Sequence, residues 1–292
     1  MISLIVATIN RVTDLDRFLG SLEEQTHRDF EVILVDQNPD DRLAPLLSHH
    51  AQLAIRHLRS ERGLSRARNA GLRVVRGDII AIPDDDCWYP VGLLASVAEW
   101  FGSHSRFGLL SAAVRTAENK PSGPRSPSRP RRCTKSNIWG CGVSTALFMR
   151  TSVSSAVGDF NEDIGVGAPS AYQSGEETDY ILRAFEHGFQ MWFEPSLTVH
   201  HPPLDSIGRL KKTTYPFALG TGRVLRTHHY PLHQVGGHLV RSLGGAAVSL
   251  CRGDFARTQV YVLRGAGQLV GYISGRRDLR PRDPSRRLPA AR

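Results

Sequence analysis

The sequence predicts an α/β protein, a single sheet flanked by helices and followed by a helical extension, and three observations carry that expectation. Residues 1–205 alternate short β-rich runs with amphipathic helical patterns, as a layered α/β sheet requires. The strand-like run Ile80-Ala81-Ile82 leads through Pro83 into three consecutive carboxylates, Asp84, Asp85 and Asp86, at the strand end where open α/β sheets place their ligands. From residue 206 onward the β-rich runs stop and apolar residues recur at helical spacing.

Ile2 to Ala7 reads as the first strand, with Leu4-Ile5-Val6 buried on both faces. Thr13 and Asp16 fit an N-cap and its capping-box partner, opening a helix to about Gln25 that turns Leu15, Phe18, Leu19 and Leu22 inward. Val32 to Val35 forms the second strand, ended by Asp36, and Ile55 to Leu58 a short third. Ser65 starts a helix that presents Arg66, Arg68 and Asn69, packed through Leu72 and Val75 against the next strand, Ile79 to Ile82. Tyr89 and Pro90 lead into another helix through about Phe101.

Residues 119–137, with Pro121, Pro124, Pro127 and Pro130 among serines and basic side chains, read as a loop that lacks the apolar surface to order itself. A strand from Val143 to Met149 follows Gly140 and Gly142, and Thr151 or Ser152 caps a short helix. Gly175-Glu176-Glu177-Thr178-Asp179-Tyr180 opens the next helix, continuing through Ile181, Leu182, Ala184 and Phe185. Met191 to Phe193 and Leu197 to Val199 read as two strands, ending in His200-His201-Pro202.

The organisation expected is a catalytic domain over 1–205, a helical extension over 206–275 and a disordered basic tail over 276–292. In the extension, Tyr215 to Leu225 forms a helix despite Pro216. Leu239, Val240, Leu243 and Ala246 to Val248 make one apolar face, and Val260 to Ile273 another.

At 292 residues the chain can bury a sizeable core, and its cysteines, Cys87, Cys133, Cys141 and Cys251, show no metal-ligand spacing. Reduced thiols and a cytoplasmic location are the expectation, since residues 1–7 are too short for a signal peptide and no run reaches a membrane span. The net charge of +9 is uneven: residues 206–292 set many arginines against only Asp254, Asp278 and Asp283. That asymmetry suits an anionic partner. No zinc-finger, aromatic RNA-binding or helix-turn-helix signal points to nucleic acid, and basic and apolar alternation fits an anionic membrane surface, at the inner face of the plasma membrane, with packing of both apolar stripes on the catalytic core as the alternative.

Adjacent carboxylates remain charged only where water, a base or a metal offsets them, and a divalent ion held by the acid trio can bridge the phosphates of a nucleotide-linked substrate. The plainer reading is a solvated acidic turn. For Glu176, Glu177 and Asp179 the plainer reading is complementing a helix dipole. The glycine-rich approach from Gly165 to Gly175 marks a substrate-facing loop.

Ala7-Thr8-Ile9-Asn10-Arg11, Val35-Asp36, Gly63-Leu64-Ser65 with Ala67-Arg68-Asn69 and Gly71, the acid trio, Gly175-Glu176-Glu177 and His201-Pro202 follow one another in an order that resembles a family-2 glycosyltransferase of the GT-A fold over residues 1–203. The resemblance implies a mixed, mostly parallel nucleotide-binding sheet and a metal-dependent inverting transferase. Its donor would be a UDP-sugar or other nucleotide-sugar, and its acceptor a glycan or lipid-linked glycan in polysaccharide or glycoconjugate assembly. It places Thr8, Asn10 and Arg11 near the donor nucleotide, Asp36 on the base, and Arg68 on the nucleotide or its phosphates.

By the same resemblance Asp84 and Asp86 hold Mn²⁺ or Mg²⁺ and the sugar, with Asp86 the direct ligand. Asp85 orients the donor, and His201, or His200 in its stead, lies near metal or diphosphate. Glu177 corresponds to the general base where Asp is common, Glu176 orients the acceptor or its loop, and Asp179 is the competing base. Trp139, Gly140 and Gly142 are expected at the acceptor, with Trp139 as a core residue the equal alternative, and the Arg125 to Arg132 loop over an anionic ligand or in solvent. A scaffold that binds nucleotide-sugar without turnover and a sugar nucleotidyltransferase are the alternatives.

Overall fold

The computed structural model describes residues 1–122, 127–203 and 207–274. One sheet of eight strands forms its centre among the described residues: β1 (Ile2–Thr8), β2 (Phe30–Asp36), β3 (Ile55–Arg59), β4 (Ile79–Ala81), β5 (Leu109–Arg115), β6 (Arg131–Cys133), β7 (Leu147–Arg150) and β8 (Met191–His200). Their spatial order is β3-β2-β1-β4-β7-β5-β8-β6. The first four strands are parallel, β7 is antiparallel between β4 and β5, β8 runs parallel to β5, and β6 closes the edge antiparallel. The sheet is therefore mixed and mostly parallel, as expected.

Helices α1 (Val12–Glu23), α2 (Ala44–His49), α3 (Leu64–Leu72), α4 (Leu93–Ser103), α5 (Thr151–Val157) and α6 (Glu176–Glu186) flank it. Each central strand alternates its side chains between two cores. Leu4, Val6, Val32 and Leu34 pack with Leu15, Phe18, Leu19 and Leu22 of α1, while Ile5, Ile33 and Val35 pack with Ala67 of α3 and Tyr180, Ile181 and Ala184 of α6. The four α1 residues are wholly enclosed, and each such side chain contributes about 1.5–3 kcal/mol through burial.

The structure corrects several local expectations. Thr13 and Asp16 form no capping box: α1 starts at Val12 without a side-chain cap. Ser65 does not cap α3, because its hydroxyl donates instead to the Ile164 carbonyl at 2.9 Å. Neither Thr151 nor Ser152 caps α5, and the Thr151 hydroxyl donates to Gly77 O. The two expected strands near the chain's histidine pair are one, β8, whose register against β5 jumps from Glu194 to Thr198 and leaves Pro195, which has no N–H to donate, in a bulge.

Inside the expected 119–137 loop, Arg131–Cys133 pairs with β8 and Pro121 bridges Arg115. Part of the expected Val143 to Met149 strand is a 3₁₀ turn at Ser144–Ala146. Helix α2 and strand β5 carried no expectation. Nearly all of Leu-Leu-Ser-Ala-Ala-Val-Arg in β5 is buried, so it shows no alternation to read. Arg125 and the 276–292 tail lie outside the described residues.

The extension folds as α7 (Ile207–Thr227), α8 (Leu232–Cys251) and α9 (Phe255–Ser274). Val224, Leu225, Tyr230 and Val235 join the same core as Ile5 and α6, so the end of α7 and start of α8 seat directly on the sheet domain. Helix α9 crosses α7 at backbone contact: a Cβ on Gly271 would stand 2.1 Å from the Leu219 carbonyl oxygen. Pro216 lies inside α7, and its carbonyl accepts the Gln173 amide at 3.2 Å, tying the extension to the loop before α6.

Candidate active site

Parallel pairing sets Thr8 of β1 opposite Asp36 of β2, and Ala7 bridges to Asp84, so the loops after β1, β2 and β4 open at one edge. This is the carboxyl edge of the parallel strands, where backbone groups run out of ladder partners and point at ligand. Thr8 Oγ1 is buried beside the Asp85 carboxyl, whose rise it opposes. Asn10 takes a left-handed φ of 58°, its amide donating to Asn38 Oδ1 at 2.8 Å and its own Oδ1 accepting from Arg42 at 2.7 Å.

Asp36 is fully enclosed: Oδ1 accepts from the Asn38 amide and side chain at 2.8 and 2.7 Å, and Oδ2 meets His57 at 3.0 Å and Arg59 at 2.9 Å. Its carboxylate thus shapes the Gln37–Asp41 loop from beneath.

The acid trio divides sharply. Asp85 is buried, and burial pushes its carboxyl up to about 7 against the pull of Arg11 Nη1, 3.1 Å away. Asp86 is also part-buried, yet His201 and Arg11 together outweigh the desolvation and hold it down to about 2. The His201 Nε2 atom lies 3.2 Å from Asp86, and its Nδ1 donates to the Pro202 carbonyl at 2.7 Å, which fixes the ring with Nε2 facing the acids. Burial works against protonated His201, but Asp86 overcomes it and the imidazole is raised. His200 turns away, stacked on Trp88 with 5.4 Å between ring centroids. Of the two adjacent histidines, the inward one is His201.

Asp84, Asp86 and His201 each offer one ligand atom, and the three atoms lie within 4.8 Å of one another. Two carboxylate oxygens and one imidazole nitrogen suit Mn²⁺ or Mg²⁺.

Arg68 joins this cluster to the second one. It projects from α3, is 1 % exposed, and reaches Glu176 Oε1 at 3.1 Å and Asp84 Oδ1 at 3.5 Å. The next residue, Asn69, holds the opposite wall: its amide donates to Phe160 O and Glu162 Oε1, both at 3.0 Å, and its Oδ1 accepts from the Phe160 amide at 2.7 Å. Gly175 enters α6 in the left-handed conformation, φ 95°, which lets Glu176 and Glu177 begin the helix at the site.

Burial, then repulsion from Glu176, pushes Glu177 up to about 8 despite Arg68. Among the described residues Glu177 makes no ion pair. Asp179 is the opposite case: burial pushes it up, but His228 Nε2 at 2.8 Å and Arg183 Nε at 3.0 Å more than reverse this, and its carboxyl is lowered. His228 is a residue that sequence reasoning missed. It sits just past the end of α7, and only the docking of that helix brings it to α6.

On the far side, Trp139 packs against Tyr230 and His238, with centroids 6.2 and 5.3 Å apart, in a 3₁₀ turn Ile138–Gly140. A Cβ on Gly142 would meet Ile138 and Ile181 side-chain carbons at 2.9 Å, so Gly142 lets this turn close onto α6.

Comparison with known proteins agrees with this fold. An uncharacterized glycosyltransferase of Haemophilus influenzae is 34% identical over 91 residues, which make up 31% of this chain and 31% of the relative's length. The fold superimposes on S. aureus TarS 1-349 in complex with UDP-GlcNAc with a TM-score of 0.60 at 14% identity, covering 94% of this chain and 92% of that one. It also superimposes on a mannosyltransferase from Pyrobaculum calidifontis in complex with GDP-Man and Mn²⁺, with a TM-score of 0.61 at 17% identity over 96% and 88% of the two chains. The profile of glycosyl transferase family 2 matches residues 3–155, the stretch that brings Thr8, Asp36, Arg68 and the acid trio to one sheet edge. This match spans more than half of the sequence, and the chain belongs to that family.

Proposed function

We propose that the protein transfers a sugar from a nucleotide-sugar, UDP-linked by preference, to a hydroxyl of a glycan or lipid-linked glycan, with inversion at the anomeric carbon. The observation that carries the reading is the buried Arg68 bridge, which ties a divalent-cation ligand set to a helix start bearing a carboxylate of raised proton affinity.

In this reading Thr8, Asn10 and Arg11 line the nucleotide. Asp36 acts on the base through the loop it organises. Asp84, Asp86 and His201 hold Mn²⁺ or Mg²⁺, which when bound neutralises charge gathering on the departing diphosphate. Asp85 orients the donor ribose or sugar. Glu177 takes the proton from the acceptor hydroxyl as that oxygen attacks, and Glu176, held by Arg68, fixes the helix start around it. Asp179 is tied to His228 and Arg183, which favours Glu177 as the base. The turn carrying Trp139, Gly140 and Gly142 forms the acceptor wall.

Calorimetry of UDP, GDP, CDP and ADP with and without Mn²⁺ tests the donor assignment. Selective, metal-dependent UDP binding is expected, and preference for another nucleotide replaces UDP. Release of nucleoside diphosphate with an inverted product separates transfer from nucleotidyl transfer, which releases pyrophosphate, and from a scaffold, which releases nothing.

A location at an anionic membrane surface belongs to the same proposal. No helix among the described residues is long and apolar enough to cross a membrane. Helices α8 and α9 nevertheless leave Leu232, Val240, Leu243, Phe255, Val262 and Ile273 exposed, Leu232 at 75% and Phe255 at 73%. With Arg241, Arg252 and Arg257 exposed nearby, apolar insertion and lipid attraction reinforce each other. Co-sedimentation with phosphatidylglycerol vesicles is expected, and equal recovery with neutral vesicles or none removes the membrane from the reading.

A further inference from the structure

A second group of metal-ligating side chains lies on the outer face of α1, on helices rather than at the strand ends. Asp16 projects from α1, His49 is the last residue of α2, and His50 follows it. One ligand atom from each, a carboxylate oxygen and two imidazole nitrogens, lies within 4.8 Å of the others. His50 is buried with Nε2 2.9 Å from Asp16 Oδ1, whereas Asp16 and His49 are exposed, so the cluster has a rigid inner member and an open outer side.

The other nitrogen of His50 supplies the second observation. Nδ1 meets Glu23 Oε1 at 2.7 Å, a carboxylate one helical stretch further along α1. A carboxylate on the far nitrogen of a histidine fixes its tautomer, aims its near nitrogen outward and raises its basicity, which is the arrangement that supports metal-bound imidazole. A core histidine that only needs satisfaction is already provided for by Glu23 and Asp16. Nothing in that role calls for His49, whose ring stands nearly perpendicular to that of His50 with 4.9 Å between centroids and whose ligand atom completes the trio.

We propose that Asp16, His49 and His50 form a second divalent-metal site, of the kind that takes Zn²⁺ with three protein ligands and water. A two-nitrogen, one-oxygen donor set is softer than Asp84, Asp86 and His201 and selects Zn²⁺ over Mn²⁺ or Mg²⁺. The ion clips the end of α2 to the middle of α1. Because α1 follows directly on Arg11, and its Arg17 donates to the Asp86 carbonyl at 2.8 Å, the clip steadies the helix that borders the candidate active site without entering it.

The test uses the full chain, with Co²⁺ absorption and equilibrium dialysis to count ions and thermal unfolding to read stabilisation by Zn²⁺. Wild type is expected to bind two ions, and His49→Ala and Asp86→Asn one each. The rise in Tm with Zn²⁺ should persist in Asp86→Asn and vanish in His49→Ala, whose exposed side chain can be removed without touching the core. Glu23→Gln should weaken the site by about tenfold or more through its effect on His50. If His49→Ala keeps both ions and the full Tm rise, or if wild type binds a single ion that Asp86→Asn abolishes, the second site is overturned. Either result leaves the assignment of Asp84, Asp86 and His201 to be judged by nucleotide binding alone.

Discussion

The carboxylates after β4 and those opening α6 are two groups of three with the same formal charge, and the fold treats them alike in one respect. Each group contains an acid lowered by close partners and at least one raised by burial, Asp84 rising together with Asp85 in the first. Asp86 is held by His201 and Arg11, while Asp85 rises to about 7. Asp179 is held by His228 and Arg183, while Glu177 rises to about 8. The groups differ in what the lowered acid does. Asp86 faces Asp84 and His201 in a cluster of possible ligand atoms, whereas Asp179 is sealed between α6 and the end of α7. Adjacent acids are thus set apart by the partner that tertiary packing brings, and the chemical and structural roles proposed for them can be tested by breaking that division.

The largest effect is expected at Glu177. Replacing it with Gln should lower turnover by about 10²–10⁴-fold while nucleotide affinity stays within a factor of a few, because only proton removal from the acceptor is lost. Transfer rates and calorimetry on the same preparation check this, and undiminished transfer would remove Glu177 from the chemistry.

Next is Asp86→Asn, which should weaken Mn²⁺-dependent UDP binding by about two orders of magnitude, the loss of one charged ligand being worth roughly 2–4 kcal/mol. Equal UDP affinity with and without Mn²⁺ in both proteins would refute the metal assignment. Asp179→Asn should behave in the opposite sense. It deprives buried His228 of a hydrogen-bond partner and half-buried Arg183 of its counter-charge and should destabilise folding by about 1–3 kcal/mol, seen as a lower Tm, with turnover per folded molecule largely kept. Turnover loss at unchanged Tm would move Asp179 into the catalytic set.

The smallest effect concerns pH. A base with its proton affinity raised to about 8 should make kcat/KM climb through neutral pH and level off above about 8. For stability the sign follows from the same shift. The folded state binds the Glu177 proton more tightly than the unfolded state, so that stability is present below the ordinary glutamate range near 4.5 and is lost as pH rises to about 8. Glu177→Gln removes this penalty and should be more stable than wild type at pH 9 by about 1–2 kcal/mol after allowance for its partial exposure, the gap closing at pH 4. Chemical unfolding at the two pH values measures it.

Much of the fold was legible because central strands and amphipathic helices advertise themselves by period. Leu15, Phe18, Leu19 and Leu22 could be turned inward on spacing alone, and the acid trio could be put at a strand end by the apolar run before it. The mixed sheet and the helical extension followed from the same signals and from the resemblance. Capping assignments failed at Thr13, because α1 already begins at Val12, and at Thr151, because its hydroxyl donates to the distant Gly77 carbonyl. Strand β5 and helix α2 escaped notice, one because it is buried on both faces and the other because six residues give too little pattern.

What the sequence determined by itself was the inventory: an α/β sheet, acids at a strand end and a helix start, an arginine in α3 and a late histidine. Which acid carries a proton near neutrality, which histidine faces inward, and that Arg68 spans the two acidic groups while His228 anchors one of them were decided only by tertiary structure. The physical reason is that charge states depend on desolvation and on partners within a few ångströms, and those partners come from segments 49 to 115 residues away in the cases of His228 and His201.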